Sequence, residues 1–280
     1  MRIINTKEIE SKLVDLIGRT ALNVRPDVLA FFKKAYQTEE NLIAKDIFGK
    51  LIENEKLAKK NKVPYCQDTG LEVIFFEIGQ DVKLEGNYIG KVINLAVAKA
   101  CKKYFLRASV VKDPLKRQNT KNNSPAVIHY EIVPGDQIKI SCLVKGFGSE
   151  NKSKVFMLNP TTLIDDLKQI IIKSVKEVGP DACPPYLIGI GIGGTLDHAV
   201  FLSKKACLEK IGKRNSQPHL RKLEDELLLA LNNLGIGPLG FGGQFSVMDV
   251  KIKMYPTHIA GLPIAIHFAC HALRSGGIII

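Results

Sequence analysis

A change in the spacing of apolar residues near position 62 constrains the fold more than any other feature of the chain. Before this point, apolar side chains recur at helical intervals, as in Ile9, Leu13 and Ile17. After it, residues 71–78 form a largely apolar run without helical spacing, which is typical of a buried β-strand. Helices followed by a buried sheet predict an α+β fold, with a helical N-terminal lobe packed on a mixed or antiparallel sheet with flanking helices.

The remaining elements follow from the same two patterns. Helices are predicted after Asn5 as an N-cap, from Pro26, after Thr38, at residues 88–105, 159–178, 195–210 and 218–234, and from about residue 270. Strands are predicted at residues 127–133, 137–144, 186–192, 247–254 and 262–268. The turn residues Pro134-Gly135-Asp136 predict that the first two of these strands form a hairpin. We expect a helical lobe at residues 1–62 and an α+β region at 63–280, or one integrated domain over 1–280.

The net charge of +12 admits a nucleic-acid surface, a membrane surface or a field that attracts an anionic substrate. The lysines are scattered along predicted helices and the chain has no tryptophan, so a stacking platform for nucleic acid is not indicated. No stretch reaches the ~18 apolar residues of a transmembrane helix, and the first residues lack the apolar segment of a signal peptide. We therefore expect no nucleic-acid or membrane partner, and a cytoplasmic location.

Six cysteines lie far apart in the sequence, and no C-x-x-C pair occurs among them. This spacing does not indicate a disulfide framework, which is typical of short secreted chains. Three cysteines lie at breaks in the pattern, namely Cys66, Cys183 and Cys270; the others lie inside regular elements and are expected in the core, namely Cys101, Cys142 and Cys207. Three thiolates could hold an iron–sulfur cluster with one iron left open for substrate.

The stretch P-Y-C-Q-D-T-G at residues 64–70 places a thiol, an amide, a carboxylate and a hydroxyl on four consecutive residues. It lies on a predicted turn that enters the buried strand, where binding and catalytic groups often collect. The polar segment at residues 106–125 is too long for a simple connection. The segment K-G-F-G-S-E-N at residues 145–151 offers backbone N–H groups to an anion. A capped turn with a buried cysteine stays open as the alternative interpretation of residues 64–70.

Residues 189–194, G-I-G-I-G-G, match the dinucleotide fingerprint G-x-G-x-x-G between a predicted strand and a helix. Taken alone, this match indicates a nicotinamide-dependent dehydrogenase. However, a charged loop and another helix follow, where the fingerprint requires a second strand, and Glu209 lies within the helical pattern. A glycine turn that packs a helix onto a strand explains the same residues.

Several segments together are similar to the alpha subunit of class I, iron–sulfur-dependent fumarate hydratases and L-tartrate dehydratases, over essentially the whole chain. They are C-Q-D-T-G from Cys66, L-R-A-S-V-V from Leu106, D-P-L-K-R-Q-N-T from Asp113, N-S-P-A-V-I-H from Asn123, K-G-F-G-S-E-N from Lys145, C-P-P-Y from Cys183, G-I-G-G from Gly191, P-T-H-I-A-G-L-P from Pro256 and A-C-H-A-L-R around Cys270. The resemblance implies a hydro-lyase with a [4Fe–4S] cluster that is held by Cys66, Cys183 and Cys270 and keeps one open iron.

The resemblance also implies roles for other residues. Gln67 and Asp68 would contact a dicarboxylate, with Asp68 assisting proton transfer, and Arg107 would pair with a substrate carboxylate. The loop around Gly148 would offer backbone N–H groups, and His258 would line the pocket. The catalytic base proposed for the family lies in a beta subunit or a C-terminal domain. A separate beta subunit is therefore expected as a partner, in a higher oligomer of alpha–beta pairs.

The activity implied by the resemblance is reversible hydration of fumarate to L-malate, with dehydration of L-tartrate as the alternative. Three places depart from the family pattern, namely Phe147, Asp197 and the run Gln244-Phe245-Ser246. These departures concern the choice of substrate and leave the three cysteines untouched.

Overall fold

The computed structural model describes residues 1–280 and shows the expected α+β class. The helices are α1 Thr6–Leu22, α2 Pro26–Thr38, α3 Leu42–Asn61, α4 Ile89–Lys103, α5 Phe147–Glu150, α6 Ile164–Val178, α7 Leu196–Ala206 and α8 Pro218–Asn232. The strands are β1 Arg2–Asn5, β2 Leu71–Gly79, β3 Val82–Glu85, β4 Val127–Val133, β5 Ile138–Lys145, β6 Lys154–Leu158, β7 Tyr186–Gly193, β8 Val247–Tyr255, β9 Leu262–Ala269 and β10 Arg274–Ile279. None of these helices combines the length and the apolar character that a membrane span requires.

The chain divides into two compact units. The first unit comprises Met1–Arg25, Asn54–Phe147 and Arg274–Ile280, and the second comprises Pro26–Glu53 and Gly148–Leu273. The division does not fall at residue 62, because α3 crosses from the second unit into the first. A separate lobe at residues 1–62 stays a prediction.

The first unit is built on a four-stranded sheet with the order β10-β5-β2-β4. Strand β2 is central, antiparallel to β5 and parallel to β4. One face of the sheet packs on α1 and α4, and this core includes Leu13, Ile74, Phe76, Val97 and Ile140. The predicted apolar run at residues 71–78 is therefore explained by the place of β2 in the middle of the sheet.

The predicted hairpin of β4 and β5 is wrong, although both strands exist. Strand β2 lies between them, and the intervening turn instead caps the end of β2. The amides of Gly79 and Asp81 donate hydrogen bonds of 2.8 and 2.9 Å to the carbonyl oxygens of Gln137 and Gly135. The turn residues were identified correctly, but the more apolar β2 takes the central position because it buries more surface there.

The second unit contains a four-stranded sheet with the order β6-β9-β7-β8. Along β7, isoleucines and glycines alternate, so one face carries Ile188, Ile190 and Ile192. These isoleucines share a core with residues of α6 and α8, including Ile171 and Leu227. Helix α7 packs against the glycine side of β7. The sheet is therefore covered by helices on both faces.

Several boundaries differ from the predicted ones, each for a local reason. The predicted C-terminal helix is wrong, since residues 274–279 form β10, whose two glycines and two isoleucines favour a strand over a helix.

The expected helix start at Asn159 is an Asx turn, and α6 begins at Ile164. In this turn the Asn159 side chain accepts a hydrogen bond from the Thr161 amide at 3.0 Å. Asn5 caps α1 as predicted, through a 2.9 Å bond from the Lys7 amide. Strands β1, β3 and β6 were not predicted because each is short.

Candidate active site

In the first unit, the loop before β2 holds the Asp68 carboxylate in a fixed position. Its Oδ1 accepts a 2.9 Å hydrogen bond from the Gly70 amide, and its Oδ2 accepts a 2.9 Å bond from the Phe147 amide. Each carboxylate oxygen has two lone pairs, so both keep one for a further partner. Gln67, next to Asp68, is exposed and Cys66 is half-buried.

The same loop is joined to the long polar segment that contains Arg107. The carbonyl oxygen of Arg107 accepts hydrogen bonds from the Thr69 hydroxyl at 3.0 Å and from the Asn123 side-chain amide at 2.9 Å. Asn123 is fully buried and also accepts a 2.7 Å bond from the Ser109 amide. The Arg107 guanidinium itself is exposed. The structure therefore brings Gln67, Asp68 and Arg107 into one region and fixes the backbone of the arginine rather than its side chain.

Two buried charged residues lie behind this region. Arg274 of β10 is almost fully buried, and its Nη2 donates a 2.6 Å hydrogen bond to the carbonyl oxygen of Asp68. Glu72 of β2 is fully buried, and neither of its carboxylate oxygens has a hydrogen-bond partner. Burial raises the pKa of Glu72 to about 8, against the smaller opposing effects of its own backbone amide and of the Arg274 charge. Neither residue was predicted as part of the site, although Glu72, a charged residue within the apolar run 71–78, was a visible signal.

In the second unit, Cys183 and Cys270 lie at the same end of two neighbouring strands of the sheet. Cys183 precedes β7 and Cys270 follows β9, and these strands are antiparallel neighbours, with Leu187 paired to Ala269. The amide of His271 donates a 3.1 Å hydrogen bond to the Cys183 carbonyl oxygen, and the ring Nδ1 of His271 lies 3.1 Å from the same oxygen. The backbone next to one cysteine is therefore anchored to the backbone of the other.

The turn that carries Cys183 is held in an uncommon backbone conformation. Cys183 has a φ of 58°, in the left-handed region that non-glycine residues rarely adopt. The hydroxyl of Tyr186 donates a 2.6 Å hydrogen bond to the Gly179 carbonyl and accepts one from the Ala182 amide at 3.3 Å. Burial raises the pKa of Tyr186, with smaller contributions from Cys183 and Cys270. A buried tyrosine thus fixes the turn and leaves the Cys183 residue exposed.

The six cysteines fall into the two groups that their sequence context predicts. Cys183 is exposed and Cys66 and Cys270 are half-buried; Cys101, Cys142 and Cys207 are buried. Burial is the main cause that raises the pKa of Cys101 and Cys142, with a smaller effect of Glu72, and this opposes the thiolate form that a metal needs. The accessible group is therefore the donor set that suits an iron–sulfur cluster. The structure shows no group of three or more His, Cys, Asp or Glu side chains that could hold a metal ion. Cys66 belongs to the first unit, and Cys183 and Cys270 belong to the second.

The glycine-containing segment after β5 is a single helical turn, α5, rather than an open loop. A Cβ atom at Gly148 would meet no heavy atom within 4 Å, so the backbone there is open to a ligand. Further along, Glu150 pairs with Lys204 at 2.7 Å, and Ser153 and the buried His267 make a 3.0 Å contact. The backbone N–H groups of this segment were expected to bind an anion. One of them, that of Phe147, already donates its hydrogen bond to Asp68.

His258 lies away from the two cysteines of its own unit. It follows β8, whose end pairs with Gly193 at the far end of β7, whereas Cys183 precedes the start of β7. The eight residues of β7 separate them by roughly 20 Å. His258 is exposed, and its Nδ1 accepts a 3.2 Å hydrogen bond from the Ala260 amide. The structure does not bring His258 together with Cys183 and Cys270 in one chain.

The glycines of residues 189–194 serve close packing of a helix on a strand. A Cβ atom at Gly189 would lie 2.2 Å from the Ser203 carbonyl oxygen, and one at Gly191 would lie 2.0 Å from that of Ala199. Both carbonyls belong to α7, so only glycine allows the helix to approach β7 so closely. The dinucleotide interpretation requires these glycines on an open turn, whereas Gly189 and Gly191 are inside β7 and buried.

Comparison with known proteins gives consistent matches over nearly the whole chain. A sequence model of the family described as Fumarate hydratase (Fumerase) matches residues 10–278. The putative L(+)-tartrate dehydratase subunit alpha of Methanocaldococcus jannaschii is 38% identical over 273 residues, which are 95% of each chain. The L(+)-tartrate dehydratase subunit alpha of Escherichia coli O157:H7 is 30% identical over 283 residues, covering 99% of this chain and 93% of the relative. The subunit of the same description from strain K12 is 29% identical over the same length.

Proposed function

Because the chain belongs to the fumarate hydratase (Fumerase) family and is a hydro-lyase, we propose that it is the alpha subunit of an enzyme that reversibly hydrates fumarate to L-malate. The observation that carries the proposal is the Asp68 carboxylate, which two backbone amides hold beside the segment of Arg107. A fixed carboxylate and an exposed guanidinium are suited to proton transfer and to binding of a dicarboxylate.

The proposed roles follow from the chemistry of each group. Arg107 pairs with one substrate carboxylate through its planar set of donors, and the Gln67 amide hydrogen-bonds the substrate. Asp68 receives or returns a proton at the reacting oxygen, because each of its oxygens keeps a free lone pair. Backbone N–H groups near Gly148 approach the second carboxylate, which the open space at that glycine supports. His258 is proposed to line the pocket on the resemblance alone, and its position at the far end of β7 does not support a contact beside Cys183.

The proposed cofactor is a [4Fe–4S] cluster held by Cys66, Cys183 and Cys270. The accessibility of these three cysteines, against the burial of the other three, supports the assignment. When bound, such a cluster supplies Lewis-acid polarisation of the substrate C–O bond through its open iron. A beta subunit is proposed as the partner that completes the site, and the printed name "subunit alpha" of the relatives supports it.

The alternative substrate is L-tartrate, favoured by the names of the relatives rather than by any contact in this chain. The test is anaerobic reconstitution with iron and sulfide, together with a candidate beta subunit, followed by turnover of fumarate, L-malate and L-tartrate. Faster turnover of fumarate and L-malate supports the main proposal, whereas faster turnover of L-tartrate replaces it with the alternative. The broad absorption of the cluster should disappear in Cys66→Ser, Cys183→Ser and Cys270→Ser and persist in Cys101→Ser. Persistence of the cluster in all three would refute the ligand assignment.

A further inference from the structure

Strand β4 ends one side of the first sheet and has an open backbone edge. It pairs only with β2, in parallel. The carbonyl of Val133 accepts a hydrogen bond from the Gln80 amide. This bond shows which residues of β4 direct their backbone groups toward β2. Odd-numbered residues of β4 therefore direct their backbone groups toward β2, and Ile128, Tyr130 and Ile132 direct theirs outward.

This edge has few of the features that usually protect a terminal strand. The strand sequence V-I-H-Y-E-I-V contains no lysine, proline or glycine, its one carboxylate is Glu131, and Ile132 is 78% exposed. The end strand β8 of the other sheet shows the contrast. There Glu224 accepts the Ile252 amide at 2.9 Å, and the Asn215 side chain donates to the Ile252 carbonyl at 2.8 Å. An exposed and apolar strand edge in a stable protein normally has a partner.

The sequence of β4 is complementary to itself in one register only. Antiparallel pairing of two copies about Tyr130 places Val127 opposite Val133, Ile128 opposite Ile132 and His129 opposite Glu131. Every pair then joins like apolar residues or a histidine with a carboxylate. The residues that direct their backbone groups outward, at positions 128, 130 and 132, also face one another in this register, which gives two hydrogen bonds for each pair.

Apolar surface beside the edge extends the same face. A groove of about 630 Å³ between α4 and β4 has a mixed lining, with Tyr88, Leu95, Ile128 and Tyr130 beside polar residues such as Lys91 and Asn94, and Tyr88 is 75% exposed. Strand pairing alone buries less than the ~1,200 Å² of a stable interface, so these side chains supply additional apolar area. Exposed apolar side chains and unpaired backbone groups thus occur together along one strand.

We propose that β4 pairs antiparallel with β4 of a second copy of this chain, about a two-fold axis at Tyr130, so that the two sheets become continuous. The pairing joins two alpha chains and does not involve the residues of the proposed active site. It is independent of which substrate the enzyme uses and of whether the cluster is bound.

The test is the number of alpha chains per particle, measured by light scattering and native mass spectrometry on the full chain and on its complex with the beta subunit. Because Tyr130 faces itself across the axis, Tyr130→Lys and Tyr130→Glu each place like charges together and should raise the dissociation constant about 100-fold or more. An equimolar mixture of the two variants should restore the dimer, which neither variant can do if it has simply failed to fold. Leu229→Lys, at an exposed apolar position on α8, is the matched control and should leave the dimer intact.

Two results would overturn the proposal. One is a wild-type chain that occurs once per particle, both alone and in the complex. The other is a dimer that both Tyr130 variants retain, or whose loss the mixture does not reverse. Loss of beta-subunit binding in Tyr130→Lys, without recovery in the mixture, would assign this edge to the beta subunit instead.

Discussion

The backbone amide of Phe147 donates a 2.9 Å hydrogen bond to Oδ2 of Asp68, across 79 positions of sequence. This bond joins the loop before β2 to the end of β5, and the Gly70 amide holds the other carboxylate oxygen at the same distance. The position of the proposed proton carrier therefore depends on the pairing of β2 with β5. Phe147 is one of the departures expected from the family pattern, but its contact with Asp68 uses only its backbone, so a different side chain there leaves this bond unchanged.

Replacing the carboxylate should abolish most of the activity without removing the cofactor. Asp68→Asn keeps the shape of the side chain but loses the group that takes up a proton, and we expect turnover to fall by about 100-fold or more. The reconstituted complex should retain its cluster absorption, because no thiol is changed. Asp46→Asn, on the exposed face of α3, is the control. Turnover within a few fold of wild type in Asp68→Asn would exclude the proposed role.

A methyl group at Gly148 should affect binding rather than folding. Its Cβ would meet no atom within 4 Å and its φ is not left-handed, so the thermal midpoint should stay within about 2 °C of wild type. If a substrate carboxylate approaches the backbone here, the added methyl displaces it, and KM should rise by about 10-fold with little change in kcat. Unchanged KM in Gly148→Ala would show that the substrate does not approach this residue.

Glycine at position 183 should stabilise the fold and remove the cluster. The left-handed φ of Cys183 costs about 1 kcal/mol for a residue with a Cβ, and glycine adopts it without that cost. Cys183→Gly should therefore unfold at the same or a higher temperature than the wild-type apoprotein, yet fail to form the cluster. Cys207→Ala gives the opposite pair of outcomes, since it removes a buried side chain and should cost about 1 kcal/mol while the cluster forms.

The stability of the protein should fall as the pH rises between about 4.5 and 8. The pKa of Glu72 is raised from the ordinary 4.5 to about 8 by burial, so in this range the folded chain keeps a proton that the unfolded chain has released. The stabilisation by this proton is complete below the unfolded pKa and is lost as the pH rises through the folded pKa. Glu72→Gln should flatten the dependence of stability on pH. At pH 8 its free energy of unfolding, measured with denaturant, should exceed that of the wild type by more than about 1 kcal/mol. The exposed Glu53→Gln should keep the wild-type slope, and an unchanged slope in Glu72→Gln would contradict the assignment.

Local signals predicted what depends on near neighbours in the chain. Asn5 caps α1 through the Lys7 amide two residues away, and Pro26 begins α2, because these effects involve only adjacent backbone groups. The periodicity placed most of the longer helices and strands correctly. The division of cysteines into accessible and buried groups was also predicted, since a thiol inside a regular apolar element has only the core to occupy.

The long-range pairing of strands could not be predicted from the sequence, and it decides which residues of the candidate site lie together. The sequence showed β2, β4 and β5 as strands, but not that β2 lies between the other two, because each strand edge can accept several partners with similar local energy. That choice brings Phe147 to Asp68 and puts Arg274 behind it. The sequence by itself therefore predicted residues for the proposed chemistry, and the tertiary structure decided which of them meet. The physical reason is that apolar burial selects the order of strands over the whole chain, whereas side-chain chemistry belongs to each residue.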